Sequence, residues 1–169
     1  MNCESCGNRM TAVYRQSHFQ CMNCNRFHFP TEIESAEDSL RSTDKVTEFQ
    51  CPRCKIALEV GTLRGHVDVC YCPNCRGFVI DCDTLGSWIT ELRAAYAGPD
   101  DQPLALDPQE LDVRRDCPAC QEPLEAHPYY GPGNSVIDTC THCRLAWFDH
   151  GELAWIVRAP GLRRQSTLG

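Results

Sequence analysis

The sequence is poor in apolar residues and has no long hydrophobic run. Hydrophobic residues occupy 42% of the 169 positions, but this share includes 14 cysteines and falls to about a third without them. Such a composition is thin for one large core, so something besides burial must hold the chain together. No run of 18 apolar residues occurs, and we predict no membrane-spanning segment.

The amino-terminal residues also lack the apolar stretch of a secretory leader. The opening segment, MNCESCGNRMTAVYR, is polar and interrupted by two cysteines. We therefore expect a cytoplasmic protein, where thiols stay reduced and disulfides are rare.

Positive charge is scarce as well. The chain carries 16 lysines and arginines against 23 acidic residues, a net charge of −7. Affinity for nucleic acid depends largely on neutralising phosphates with lysine and arginine, so the overall balance disfavours such a partner. Local excesses of arginine remain in residues 1–30 and in the carboxy-terminal segment, and they keep nucleic-acid binding open as an alternative.

Cysteine is what the chain has in abundance, in a regular pattern. Twelve of the 14 cysteines form six Cys-x-x-Cys pairs: Cys3/Cys6, Cys21/Cys24, Cys51/Cys54, Cys72/Cys75, Cys117/Cys120 and Cys140/Cys143. The pairs alternate with gaps of 14, 17 and 19 residues, a spacing typical of zinc sites. The pattern predicts three structural zinc ions, each held by four cysteines and each adding on the order of 10 kcal/mol or more to folding.

Other readings of the cysteines are less favourable. A disulfide framework would require an oxidising compartment. Two Cys-x-x-Cys pairs, or knuckles, can also bind iron, but usually with a longer separation between the pairs. Thioredoxin-type chemistry needs a neighbouring βαβ pattern, which the sequence lacks. Cys70 and Cys82 stay outside the pairs, and a reactive Cys82 at a helix start would allow a thiol-redox or zinc-handling role.

The second and third pairs of knuckles lie in repeated segments. CPRCKIALE at 51–59 matches CPACQEPLE at 117–125, and VDVCYCPNCRGFVID at 67–81 matches SVIDTCTHCRLAWFD at 135–149. Each segment predicts a hairpin between the knuckles and a short third strand after them.

A helix is predicted after each third strand. Asp149 and Glu152 form a D-x-x-E capping box, with His150 exposed in the first turn, and Asp81 caps the equivalent helix. Leucine, tryptophan, isoleucine and valine recur at helical spacing to give two apolar faces: Leu85, Trp88, Ile89, Leu92 and Leu153, Ile156, Val157.

Two acidic joints separate the modules. Residues 31–50 and 94–116 each carry six acidic and two basic residues. We expect both joints to be solvated and partly ordered, with a turn or two of helix around AEDSLR in the first. Asp107 and Pro108 predict a short helix in the second.

The residues offer no convincing catalytic site. A catalytic zinc site typically keeps one position open for water, whereas each module here supplies four cysteines. His150 and Glu152 satisfy the H-x-E of zinc deaminases, but the P-C-x-x-C that should follow is missing. We therefore expect no enzymatic activity.

Two of the modules resemble the prokaryotic transcription-factor-IIB-type zinc ribbon family. The third has a CPxC knuckle, a second CxxC, and then Trp147, Phe148, Asp149 and Gly-Glu-Leu. The second departs where Val79 and Ile80 replace the Trp-Leu pair of the family's pattern, and the first resembles only a generic zinc ribbon. The resemblance implies zinc binding, a ribbon fold and transcription-related or adaptor roles.

We therefore predict a small, metal-stabilised α+β protein with three tandem zinc ribbons, the last two each followed by a short helix. The expected units are ribbon 1 (1–30), an acidic linker (31–50), ribbon 2 (51–97), a second acidic linker (98–116), ribbon 3 (117–160) and a tail (161–169). The expected function is that of a protein-interaction adaptor.

Overall fold

The computed structural model describes residues 1–13, 18–30, 39–103, 105–129 and 133–163. These residues form ten strands and three helices. The strands are β1 (Thr11–Ala12), β2 (Phe19–Gln20), β3 (Phe27–His28), β4 (Leu40–Gln50), β5 (Ala57–Leu63), β6 (Val67–Tyr71), β7 (Phe78–Asp81), β8 (Glu125–Pro128), β9 (Val136–Cys140) and β10 (Leu145–Phe148). The helices are α1 (Cys82–Ala95), α2 (Pro108–Leu111) and α3 (Glu152–Arg158). None of the helices in these residues has the length and apolar character that crossing a bilayer requires.

The strands confirm the predicted α+β class and the ribbon topology of each module. The first ribbon is a three-stranded antiparallel sheet in the order β1-β2-β3. In the second and third ribbons, a hairpin and a third strand follow the same path, as β5-β6-β7 and β8-β9-β10. The predicted helices α1 and α3 come directly after the third strands.

The second and third ribbons share one seven-stranded sheet, with the order β4-β5-β6-β7-β10-β9-β8. The join is the antiparallel pairing of β7 with β10, which sets Phe78 opposite Phe148 and Val79 opposite Trp147. The two phenylalanine rings stack at 5.2 Å between centroids and are almost fully buried. Two short apolar strands, each too small to form a core alone, thereby create a common one.

Alternation along the central strands divides the interior into two layers. On one face, the predicted apolar faces of α1 and α3 pack against the sheet around Phe78, Ile80, Ile137 and Phe148. On the opposite face, Val79 and Trp147 lie with the cysteines of the second and third ribbons. Successive side chains of a strand point to opposite faces of the sheet, so the helices and the Cys-x-x-Cys knuckles lie on different sides of it.

The first acidic joint differs from the prediction. Residues 31–38 lie outside the described residues, and so does the first half of the AEDSLR segment, around which a helix was expected. Leu40 and Arg41, its last two residues, lie in strand β4, which extends through Gln50 and pairs with β5. The hydroxyl groups of Thr43 and Thr47 donate to backbone carbonyls of β5 at 2.9 and 3.0 Å. An edge strand can keep its charged side chains in water, so acidic composition does not prevent pairing.

The second joint contains the predicted short helix. Asp107 accepts a hydrogen bond from the amide of Gln109 at 2.9 Å, and Pro108 occupies the first turn of α2. The chain then enters the third ribbon through Arg115 and Asp116.

A pair of glycine substitutions tests the packing between the second and third ribbons. A Cβ atom on Gly77 would lie 2.4 Å from the Trp147 ring and 2.9 Å from the carbonyl oxygen of Phe148, whereas one on Gly86 in α1 meets nothing within 4 Å. We expect Gly77→Ala to destabilise the protein by about 1–3 kcal/mol through overpacking. Gly86→Ala should stabilise it by about 0.5–1 kcal/mol through helix propensity. Urea unfolding at fixed zinc concentration measures both, and equal midpoints for the two variants would contradict the packing at Gly77.

Candidate metal centres

The six Cys-x-x-Cys knuckles have similar backbone turns. In five of them the amide that follows the second cysteine donates to the carbonyl of the first, at 2.8–3.0 Å. The residue after the second cysteine is left-handed in every knuckle, with φ between 55° and 73°: Gly7, Asn25, Lys55, Arg76, Gln121 and Arg144. This conformation costs a residue other than glycine about 1–2 kcal/mol, so the fold must offset it at five positions.

The knuckles bring their sulfur atoms together as three quartets. Within each quartet the four Sγ atoms lie within 4.8 Å of one another, and the sets are Cys3, Cys6, Cys21, Cys24; Cys51, Cys54, Cys72, Cys75; and Cys117, Cys120, Cys140, Cys143. These are the groupings that the spacing predicts.

The sulfur separations fit a tetrahedral zinc ion. The Sγ atoms of Cys51 and Cys75 are 3.7 Å apart, and those of Cys120 and Cys140 are also 3.7 Å apart. Zinc–sulfur bonds of about 2.3 Å place tetrahedral ligands about 3.8 Å from each other. A disulfide would require about 2.05 Å, and every cysteine is free. Each quartet is therefore a structural zinc site with four protein ligands.

The four cysteines of a quartet influence one another's ionisation. Hydrogen bonding from Cys51 and its neighbours lowers the pKa of Cys54, while Cys54 in turn raises the pKa of Cys51. In the third site the thiol of Cys120 raises the pKa of Cys143 to about 12. Four thiolates at these distances repel one another, and a bound dication removes the conflict.

The unpaired cysteines lie outside the quartets. Cys70 is in β6 opposite Val79, so the knuckle of the second site uses Cys72 and Cys75. Burial raises the pKa of the half-buried Cys70. Burial, followed by the charges of Asp81 and Asp83, also raises the pKa of Cys82. Neither thiol has the low pKa that marks a reactive cysteine.

The helix caps agree with the sequence only in part. Asp81 caps α1, accepting from the amides of Asp83 and Thr84 at 2.9 and 3.1 Å. Asp149 was predicted to cap α3 in the same way, and this prediction was wrong. Gly151 is the capping residue of α3, in a left-handed conformation and with no side-chain bond. Half of the capping box remains, because Glu152 accepts from the amide of Asp149 at 2.8 Å.

The Asp149 carboxylate takes part in a buried ionic network instead. It accepts from Arg115 at 2.7 Å and from the Trp147 indole at 3.2 Å, and it lies 3.7 Å from Arg53. Arg115 also pairs with Asp138 on β9. Burial opposes the charge of Asp149, but Arg115 and Arg53 together hold its pKa below the ordinary value. Burial and the negative charge of Asp149 raise the pKa of the neighbouring Glu152 well above its ordinary range.

Arg53 connects this network to the first ribbon. Its guanidinium donates to Gln20 at 3.1 Å and lies over the Phe27 ring at 4.6 Å. Arg53 sits inside the Cys51–Cys54 knuckle, so one metal-bound turn carries the side chain that all three ribbons contact. Sequence spacing gives no sign of this role, because every partner of Arg53 is distant along the chain.

Histidines complete the contact between the first and third ribbons. His150 was predicted to be exposed, but it is 5% exposed and its ring lies 4.8 Å from that of Phe29. His18 is also buried, at 5.0 Å from Phe29 and 5.9 Å from His150. Burial is the main cause that lowers the pKa of His18 to about 3, followed by the charge of Arg53. The ring is therefore neutral and packs as an apolar group.

Four-cysteine centres in small hairpin modules define the chain as a zinc ribbon protein. The family described as transcription factor zinc-finger, of the TFIIB-type zinc ribbon, matches residues 50–91 and 116–159. These two regions are the second and third ribbons and cover about half of the sequence, and the chain belongs to this family. Comparisons with curated proteins and with solved structures gave no match.

Substitution of a ligand should remove one zinc ion. We expect Cys72→Ser to leave two tightly held ions after dialysis against a mild chelator, because one of four thiolates is lost. Cys70→Ser, two residues away and outside the quartet, should retain three. Native mass spectrometry counts the ions in each variant. Three ions in the first variant, or two in the second, would contradict the assignment of ligands.

Removing the central carboxylate charge should be costly. We expect Asp149→Asn to destabilise the protein by about 3–5 kcal/mol, because Arg115 and Arg53 would keep buried charges without their shared counter-ion. Asp83, which pairs with Arg144 on the surface, is the matched control. Asp83→Asn should change stability by no more than about 0.5 kcal/mol. Urea unfolding of the zinc-loaded proteins compares them, and a cost as small as that of the control would refute the network's role.

Proposed function

We propose that this protein is a non-enzymatic adaptor that uses its zinc ribbons to bind a protein partner connected with transcription. The observation that carries the proposal is the closed donor set of each metal centre. Four cysteines fill the tetrahedron, so no ligand position is left for water or substrate. The metal then supplies stability and leaves function to the protein surface.

The other groups that could perform chemistry have structural partners. Asp149 is held between two arginines, and Glu152 accepts from the backbone of the same residue. His150 packs against Phe29 at the contact with the first ribbon. The contacts of Asp149, His150 and Glu152 therefore support a role for this segment in assembling the ribbons. The raised pKa values of Cys70 and Cys82 argue against the alternative of a thiol-redox function.

The outer edge of strand β4 is the surface that we favour for the partner. This strand has 11 residues, about twice the usual length, and is an end strand of the seven-stranded sheet. Val46 on β4 is 67% exposed. Edge strands bind extended peptides through backbone hydrogen bonds, with side chains such as Val46 adding specificity. The pairing of β4 with β5 has two register shifts, where the strand is irregular. These irregularities hinder pairing with arbitrary strands and favour a partner whose backbone has a complementary shape.

Nucleic-acid binding is the second candidate, through the first ribbon and the carboxy-terminal basic residues. Arg9 and Arg26 are exposed and favour it. Arg15 and Arg164 lie outside the described residues. Arg163 is engaged with Asp100 and Tyr96, which reduces the positive surface available for phosphate contacts. Each zinc with four thiolates adds −2 to a chain whose net charge is already −7, and this balance favours the protein partner.

The chemistry of the cysteines also supports a proposal for the compartment. Fourteen free cysteines, 12 of them ligands in the zinc form, are compatible with a reducing environment. We therefore propose that the protein is cytoplasmic.

A salt series distinguishes the two kinds of partner. Immobilised zinc-loaded protein should capture a discrete partner from nuclease-treated lysate, and the complex should survive about 0.5 M salt because its contacts are mostly backbone and apolar. Retention on DNA or RNA should be weak and should fall steeply with salt. Strong, salt-sensitive retention on nucleic acid without a protein partner would reverse the assignment.

A valine pair tests the proposed edge in the same experiment. Val46→Glu should reduce capture of the partner at least tenfold, because it introduces a charge at the exposed strand edge. Val113 is 39% exposed and follows α2, which contacts β8 at the opposite end of the sheet from β4. Val113→Glu should bind like the original protein. Equal capture by both variants would move the partner to another surface.

A further inference from the structure

Three arginines cluster where the carboxy-terminal ends of α1 and α3 meet. Arg163 lies over the Tyr96 ring at 4.7 Å, and Arg158 approaches the same ring at 6.0 Å. Arg93 belongs to the last turn of α1, one turn before Tyr96. In a chain with net charge −7, this is a marked local concentration of positive charge. Asp100 is the acidic partner seen there, through its ion pair with Arg163.

Arg93 is unusual among charged side chains because it is only 5% exposed. Its Nη1 donates to the carbonyls of Ile156, Val157 and Ala159 at 2.5, 3.3 and 3.0 Å. These carbonyls end α3, so Nη1 satisfies groups that a helix leaves open. Nη2 is buried too, but it has no acceptor among the described residues. A charged donor left in this state is expensive, and an acceptor would relieve the cost.

A second donor in the cluster is in the same situation. Nη1 of Arg163 donates to the carbonyl of Tyr96 at 3.1 Å, and Nη2 pairs with Asp100. Nε of Arg163 is buried without an acceptor in the described part of the chain. The two arginines are neighbours: burial is the main cause that lowers the pKa of Arg93, and the charge of Arg163 is the next.

Glycine lies next to the unsatisfied donor of Arg93. Gly161 has φ of +118°, and a Cβ placed on it would be 3.9 Å from Nη2 of Arg93. A side chain larger than hydrogen would therefore stand next to the unsatisfied donor. Glycine keeps this approach open, as it does where backbone comes close to a ligand.

We propose that Arg93 and Arg163 form a binding site for a phosphate group at the junction of α1 and α3. A phosphate offers several acceptor oxygens and a negative charge to the guanidinium donors, Nη2 of Arg93 and Nε of Arg163. The group comes from inorganic phosphate or from a small phosphomonoester. The site uses no residue of β4 and no zinc ligand, and it does not depend on the adaptor function.

Titration of the zinc-loaded protein with inorganic phosphate tests the site. Isothermal titration and thermal unfolding should show binding and a rise in Tm, relative to sodium chloride at the same ionic strength. Arg163→Gln should weaken the affinity at least tenfold, since it removes one charge and a donor. Arg163 is the better target because Arg93 also caps α3, and its loss would disturb the fold.

Arg144→Gln is the matched control. This arginine is exposed and pairs with Asp83, away from the cluster, so the variant should bind phosphate like the original protein.

Glycerol 3-phosphate serves as the second ligand, and tighter binding of either compound supports the site and identifies the source of the phosphate. Two results would overturn the proposal. One is the absence of phosphate-specific binding, as expected if other residues of the chain supply the acceptor. The other is an equal affinity in Arg163→Gln and Arg144→Gln.

Discussion

Tetrahedral coordination of zinc by four thiolates is the constraint on which this structure depends. It takes the place of a large apolar core in a chain with few apolar residues outside its cysteines. The same bonds account for the backbone of the knuckles, where five non-glycine residues adopt a left-handed conformation. Each of these would be unfavourable alone. The metal fixes both ends of every hairpin, so even strands of two residues in the first ribbon keep their register.

The metal centres define each ribbon, whereas other interactions assemble the ribbons. Pairing of β7 with β10 merges two sheets and brings α1 and α3 together on one face. On the other face, Arg53 contacts Gln20 and Phe27 of the first ribbon and Asp149 of the third. A buried carboxylate between two arginines is costly to desolvate, but it requires a specific geometry. The network therefore contributes more to the arrangement of the ribbons than to their individual stability.

Local patterns in the sequence predicted the features that depend on local chemistry. Cysteine spacing gave the quartets, and helical spacing gave the buried faces of α1 and α3, because metal coordination and amphipathicity operate within a module. Strand β4 was missed, since its hydrogen-bond partner β5 decides its conformation and the acidic composition of residues 31–50 suggested a solvated linker. Asp149 and His150 were misassigned for the same reason. Their neighbours Arg53 and Phe29 come from other ribbons and leave no mark in the surrounding sequence.

The two repeated ribbons show how one sequence position acquires two roles. Asp81 and Asp149 both follow a third strand and precede a helix, yet Asp81 caps its helix while Asp149 binds arginines. The difference lies in what surrounds them. Gly151 ends the turn before α3 without a side-chain cap, which frees the Asp149 carboxylate for Arg115 and Arg53. The residues that follow these two aspartates also differ. His150 is buried beneath the first ribbon, whereas Cys82 is half-buried at the start of α1. The first ribbon therefore makes the second and third ribbons different from each other, because its His18 and Phe29 pack against His150 of the third ribbon.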